Sequence, residues 1–364
     1  MEKTIRIGML PVVLIWLALA GWAWLRTPDA LSTQERRELA QFPELTAENL
    51  RSGKFMTDFE SYTLDQFPLR KGFRQLKAGF HYGVLRQKDN NGIYLTQGHA
   101  GKLEYPLNET AVQRALGIFQ KIAGKHLDGS RVFLAVVPDK GYYLAGNNGY
   151  PAMDYEKLLQ MTSNLPGISY VNLTDCLTAE DYYRTDTHWR QEKLFAAAGR
   201  LSEALGIPVP QPVDYTLETV TQPFYGVYYG QAALPMEPDA LCLLRNEVLD
   251  NCRVYNHETG KYGSIYDETK LSGDDLYEVF LSGSVSLLTI ENPNAATDRE
   301  LIIFRDSFGS SIAPLLVQGY QTVTLVDIRY LPTAMLDRFV KFQGQDVLFL
   351  YSTLVLNNGQ TLQG

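Results

Sequence analysis

Cysteine and histidine are scarce in this chain, three and five among 364 residues. No two cysteines have CxxC spacing and none stands in a cluster with histidines, so no structural zinc site is indicated. Cys242 and Cys252 lie near each other in a polar, turn-rich region and could pair, which would leave Cys176 over as a buried thiol. Basic charge is also short. Lysine and arginine number 33 against 41 acidic residues, a net charge of −8. Nothing supplies the basic stripe that phosphate binding needs, which argues against a nucleic-acid partner. Internal repeats and low-complexity tracts are missing too. With 45% hydrophobic and 20% charged residues, the composition is that of a folded chain, long enough for one large domain or two modest ones.

Long apolar runs are absent except for one. Lys3 and Arg6 precede "IGMLPVVLIWLALAGWAWL", Ile7 to Leu25, which Arg26 closes. Its length is near the roughly 20 residues a helix needs to cross a bilayer core. Trp22 and Trp24 at its outer end suit an interfacial belt. Two readings compete: a signal anchor over residues 1–26, or a signal peptide cleaved after Ala18-Leu19-Ala20. Hydrophobicity continues past that small-residue site, which favours the anchor. Either reading exports the body of the chain.

What remains is patterned. Residues 27–88 read as a helical lead-in interrupted at Pro68, and "NNGIYLTQGHAGKLEY" as a hairpin with Gly-containing turns. A helix is expected from Glu109 to about His126. "RVFLAVVP" is a Val-rich run typical of a strand buried on both faces. "GISYVNLT", "ELIIF", "TVTLVDI" and "DVLFLYS" are further strands. "WRQEKLFAAAGRLSEALG", "SSIAPLLVQG" and "TAMLDRFVKF" are helices between them. Strands alternating with helices imply a parallel sheet with right-handed crossovers. Residues 208–294, rich in Tyr, Gly and Asp, read as an antiparallel insertion in an α/β domain spanning 89–364.

Two stretches carry candidate chemistry. In "LIIFRDSFGSS" an apolar strand stops at Arg305-Asp306-Ser307 and passes directly into a helix. Asp306 and Ser307 are both capping residue types, so a plain helix cap accounts for the pattern as well as a nucleophile at a sharp turn does. In "DYYRTDTHWR", Asp186 and His188 stand two residues apart before an amphipathic helix. A carboxylate there can accept the imidazole Nδ1 proton and leave Nε2 as a base. The same Asp-x-His pair could instead be half of a metal site. In a parallel sheet, functional groups gather beyond the carboxyl ends of the strands. Both stretches fall on that rim, which joins Ser307 as nucleophile, His188 as base and Asp186 as orienter. The amide of Ser307 at a helix start would help to hold an oxyanion. The glycine of a G-x-S-x-G elbow is missing before Ser307, which excludes an ordinary α/β-hydrolase.

With both stretches in view, the chain resembles the DHHW family of exported bacterial proteins, related to the SGNH-hydrolase-like acetyltransferases of alginate modification. The resemblance runs through "NNGIYL", "VVPDK", "TDTHW", "YEVFLSG", "RDSFGSS", "VDIRY" and "DVLFLY", with TDTHW followed by RDSF as its specific part. It implies an α/β fold, an SGNH-hydrolase-like three-layer, Rossmann-like parallel sheet with permuted catalytic motifs. An antiparallel β insertion and an N-terminal membrane helix complete the expectation. The triad would be Asp186, His188 and Ser307, passing an acetyl group through a Ser307 ester to an exported polysaccharide without a cofactor or metal. Such proteins are commonly paired with a multi-pass membrane acyltransferase that supplies the acyl group. Two departures stand out. Thr187 replaces the first histidine of the DHHW tetrad, and Gly283-Ser284 stands where a Gly-Asn pair is expected to donate to an oxyanion. Four other residues are candidate substrate contacts. Lys140 could meet an anionic glycan or be a solvated strand-end lysine. Trp189 could stack on a sugar ring or sit in the core. Arg329 and Tyr330 end a strand on the same rim, where an arginine paired to a carboxylate is the plain alternative. A non-catalytic glycan-binding or export-complex scaffold is the rival reading of the whole.

Overall fold

The computed structural model describes residues 2–364, with side chains described from residue 11 onward. The chain divides into two compact units, one of residues 1–91 with 229–235, the other of 92–228 with 236–364.

The first unit begins with helix α1, Glu2–Leu25. A two-residue pairing follows, β1 (Leu31–Ser32) against β2 (Arg37–Glu38). Helices α2 (Ala47–Ser52), α3 (Lys54–Asp65) and α4 (Arg70–Gly83) come next, then β3 (Asp89–Asn90). Thr46 caps α2 through its side chain, and Gly53 in the left-handed region (φ 79°) ends it. Phe42 anchors α3 by edge contacts with Phe59 and Tyr62. Glu35 is buried and is held by Arg37, Arg70 and Arg74. Arg74 also donates to the carbonyl of Gly230 (3.0 Å), and Asn90 to that of Ala232 (2.8 Å), which ties residues 229–235 into this unit.

Among the described residues no helix is long and apolar enough to cross a membrane. Helix α1 covers the expected span, but its described side chains begin at residue 11. The expected membrane span therefore falls in part outside the described residues.

The second unit opens with the hairpin β4 (Ile93–Thr96) and β5 (His99–Lys102). Helix α5 (Glu109–His126) carries Val112, Ala115, Phe119 and Ile122 on one buried face, and Asn108 caps it. After it come β6 (Val132–Val137), α6 (Lys140–Leu144), α7 (Tyr155–Thr162), β7 (Ser169–Val171) and α8 (Phe195–Leu205). Gly206, left-handed at φ 64°, ends α8 as expected. Strands β8 (Thr216–Phe224) and β9 (Asp239–Arg245) pair antiparallel, with α9 (Val227–Ala232) between them in sequence. Then follow α10 (Glu247–Asn251), β10 (Arg253–Asn256), β11 (Lys261–Gly263) and β12 (Leu287–Glu291). The last stretch is β13 (Glu300–Arg305), α11 (Phe308–Leu316), β14 (Thr322–Val326), α12 (Leu336–Phe339), β15 (Asp346–Ser352) and α13 (Thr353–Asn357).

The main sheet has eight strands in the order β11-β10-β12-β14-β13-β15-β6-β7. From β14 to β7 every pairing is parallel. Strands β12, β10 and β11 extend it antiparallel. The fold is therefore mixed α/β around a mostly parallel sheet. The inner strands bury both faces, because alternate residues feed two cores. Leu301, Ile303, Leu348 and Leu350 pack with α8 and α11, while Ile302, Phe304, Val347 and Phe349 pack with α5 and α7. The Tyr- and Gly-rich region is antiparallel, but half of it continues the main sheet. "TAMLDRFVKF" shrinks to a 3-10 turn and the four-residue α12.

All three cysteines are free. Cys242 lies on β9 with its sulfur 3.5 Å from Thr219 Oγ1, and Cys252 is buried in the core beyond α10. Neighbourhood in sequence does not bring them together, so the expected disulfide is not formed. Cys176 is half-buried.

Candidate active site

Strand β13 ends at Arg305, and the turn that follows answers the capping question. Asp306 is the cap: its Oδ1 accepts from the amide of Phe308 (3.0 Å) and its Oδ2 from the amide of Ser352 at the end of β15 (2.8 Å). Ser307 makes no side-chain cap bond and has helical backbone angles. Its hydroxyl is left for other work. The Oγ stands 2.8 Å from His188 Nε2.

His188 sits in a tight turn before α8. Its Nδ1 lies 2.6 Å from Asp186 Oδ1, and the same oxygen accepts the His188 amide (3.0 Å). Placing the proton on Nδ1 leaves Nε2 as acceptor toward Ser307, the tautomer that satisfies both contacts. The second carboxylate oxygen, Oδ2, accepts the amide of Val227 (2.8 Å). Asp186 is fully buried, so a negative charge there needs these donors. The three side chains form one hydrogen-bonded line, acid to imidazole to hydroxyl.

Several residues that the sequence reading left without a role hold this line. The Tyr277 ring lies flat on the His188 imidazole, with centroids 3.9 Å apart and an interplanar angle of 7°. Its hydroxyl meets Ser311 Oγ (2.7 Å), which also accepts from Trp189 Nε1 (2.8 Å). Asp239 accepts the amides of Arg184 (2.8 Å) and Thr185 (2.9 Å) and the Thr185 hydroxyl (2.6 Å). Gly226 passes so close to the acid that a Cβ there would lie 2.5 Å from Asp186 Cα and nearer still to its side chain. Asp239 and Gly226 fall in the stretch whose antiparallel character was legible but whose partners were not. Tyr277 is the first residue of "YEVFLSG" and carries no signal of its own.

The other candidates are placed differently. Lys140 is 2% exposed, so it is not the solvated strand-end lysine. Its Nζ donates to the carbonyls of Tyr183 (2.9 Å) and Arg184 (3.3 Å) and lies 5.1 Å from the Tyr228 ring centroid. Burial pushes its pKa down to about 7, against the pull of Asp186, Asp239 and Asp139. Trp189 is fully buried, edge-on to Phe308, and takes the core role rather than the sugar-stacking one. Arg329 is paired with Asp327 through both Nε (2.9 Å) and a terminal nitrogen (2.6 Å), the plain alternative. Tyr330 is half-exposed beneath the Arg329 guanidinium. Gly283 is left-handed (φ 76°), and its carbonyl, with that of Val285, accepts from the buried Arg305 guanidinium (3.3 and 3.2 Å). Ser284 is exposed and lines a groove of about 650 Å³ with Tyr262, Asp267 and Glu278, one that neither His188 nor Ser307 lines. Thr187, in place of the first histidine, accepts from the Tyr228 hydroxyl (3.0 Å) and stays outside the line.

Among the described residues there is no group of three or more His, Cys, Asp or Glu able to hold a metal ion. Both ring nitrogens of His188 are already engaged.

An Asp-His-Ser hydrogen-bonded line is the arrangement by which serine acyl-group hydrolases and transferases activate their nucleophile. Residues 158–326 match the model of the DHHW protein family, so the resemblance read from TDTHW and RDSF stands. Two solved structures share the fold, and a third is a weaker match. A DHHW family protein from Eubacterium siraeum is 24% identical, covering 75% of this chain and 95% of its own, with a TM-score of 0.62. Bacillus cereus PatB1, solved with a sulfonyl adduct, is 18% identical, covering 72% and 95%, with a TM-score of 0.57. The O-acetyltransferase domain of Pseudomonas putida AlgJ is 14% identical over 73% and 92%, with a TM-score of 0.43. Comparison with curated proteins by sequence gave no match.

Proposed function

We propose that this chain is a serine-dependent O-acetyltransferase or acetylesterase acting outside the cytoplasm on a cell-surface or exported polysaccharide. The observation that carries the reading is the 2.8 Å contact between Ser307 Oγ and His188 Nε2, continued at 2.6 Å to Asp186. Ser307 Oγ attacks the acyl carbonyl as its proton passes to His188 Nε2. Asp186 holds the imidazole in the tautomer that can take the proton and stabilises the imidazolium. The carbonyl re-forms as the donor's leaving oxygen departs with that proton, giving an acyl-serine ester. An acceptor hydroxyl then gives its proton to His188 and attacks the ester, and the serine recovers its hydrogen. With a sugar hydroxyl as acceptor the result is transfer, with water hydrolysis. The amide of Ser307, in the first turn of α11 where no intrahelical partner exists, serves the oxyanion.

The acetyl group, the polysaccharide and a membrane acyltransferase as acyl source come from the DHHW resemblance. So do export through the N-terminal segment, as anchor or as cleaved signal, and the permuted motif order. The fold neighbour solved with a sulfonyl adduct suggests a direct probe. Purified protein should release acetate from a chromogenic acetyl ester and take up one sulfonyl group from a sulfonyl fluoride. Ser307→Ala should abolish both, and His188→Ala should lower turnover by a factor on the order of 10⁴. An unmutated protein that neither turns over the ester nor is labelled would leave the scaffold reading standing instead.

A further inference from the structure

Helix α4 is amphipathic in the wrong sense for a protein surrounded by water. Its only buried residue is Ala78. Phe73, Leu76, Phe80 and Val84 follow at spacings of three and four, so they share one face, and they are 43%, 69%, 50% and 64% exposed. The opposite face is the one that carries Ala78, with Arg70 and Arg74 engaged by Glu35. An apolar stripe of this length turned outward marks an interaction surface.

Charge decides what covers it. From residue 66 to residue 88 the chain has four basic residues within α4 and none that is acidic, in a protein of net charge −8. Lys77, next to Leu76 on α4, is exposed at the edge of the stripe. The apolar surface also continues into α1: the Phe73 ring touches Phe67 (5.3 Å), and Phe67 touches Trp16 of α1 (5.7 Å), whose neighbours Leu14, Ile15 and Leu17 are all exposed. An aromatic and aliphatic stripe on a helix with basic and no acidic residues, edged by Lys77 and joined to α1, suits the interface of a bilayer bearing anionic headgroups. We infer that α4 lies on an anionic lipid surface, its Phe73–Val84 stripe among the acyl chains and Lys77 at the phosphates. This is a second membrane contact, separate from any made by the N-terminal segment, and it does not depend on the acyl-transfer reading.

The test uses the full chain with Cys176→Ser and an environment-sensitive fluorophore at Leu76→Cys. Gln160→Cys, exposed on α7 of the other unit, is the control position. Vesicles of phosphatidylglycerol with phosphatidylcholine should quench position 76 through a lipid-borne quencher while position 160 stays bright. Lys77→Glu should weaken that quenching roughly tenfold, and salt should weaken it in the unmutated chain. Because α1 remains, overall vesicle binding by this variant can persist, and the readout is local to position 76. Three results overturn the inference. Position 76 could be no more quenched than position 160. It could be quenched equally by pure phosphatidylcholine. Or its emission could shift with protein concentration without vesicles, which would assign the stripe to a second copy. Ester turnover by the same samples reports separately on the catalytic proposal.

Discussion

Lys140 offers the sharpest test of how the site loop is held. Its ammonium is buried and pushed down to about 7, with burial as the leading cause. An unfolded lysine keeps its proton to about pH 10.4. Between those limits the unfolded chain holds a proton that the folded chain has released, so stability rises with pH. Below about pH 7 both states are protonated and the contribution is flat. The slope approaches about 1.4 kcal/mol per pH unit, which gives about 2–3 kcal/mol between roughly pH 7 and 9. The cysteines enter this window at its upper end. His99, His126 and His257 are lowered by burial and titrate beneath it. The thiols of Cys176, Cys242 and Cys252, raised by burial above the ~8.5 of an unfolded thiol, work in the opposite direction from about pH 8 upward, and the buried tyrosines only above the window. Urea denaturation at pH 7, 8 and 9 should show the rise in the unmutated protein and, in Lys140→Met, a flat profile that falls toward pH 9. The substitution also strips the donor from the Tyr183 and Arg184 carbonyls, so it lowers stability at every pH. The difference in slope is what isolates the ammonium. Equal slopes in the two proteins would refute the assignment.

Gly226→Ala should displace the Asp186 carboxylate and lower turnover roughly 10²-fold, while sulfonyl labelling of Ser307 slows and the fold survives by circular dichroism. Ser311→Ala removes the common partner of the Trp189 indole and the Tyr277 hydroxyl. Two buried donors lose their contact, at a cost of about 2–3 kcal/mol in chemical denaturation, with a smaller effect on turnover than Gly226→Ala.

Strands β6, β13, β14 and β15 were legible because fully buried strands read as continuous Val, Ile, Leu and Phe runs. The side chains named from TDTHW and RDSF stand in one line because both segments begin helices at the same edge of a parallel sheet. The residues that hold the line were not legible. Gly226 and Asp239 act through backbone approach and amide contacts across long sequence separations, which leave no periodic trace. Lys140 was misread for the same reason: a position at a strand end says nothing about which later segment folds over it. Asp306 and Ser307 looked interchangeable as caps until β15 supplied the Ser352 amide that commits Asp306. Cys242 and Cys252 were close in sequence, but β9 and α10 send them to different surroundings.

The path of the chain around Asp186 limits how freely this protein can be cut and recombined. Val227, whose amide steadies the acid, is followed by seven residues that belong to the first unit, and Asp239, which steadies Thr185, comes soon after the chain returns. The lead-in is therefore not a detachable leader. A cassette beginning near residue 92 would keep every triad residue and still leave residues 229–235 without the Arg74 and Asn90 donors that fix them. Exchange of amino-terminal segments between relatives would have to bring its matching heptapeptide along, so the two stretches are expected to be inherited as a pair.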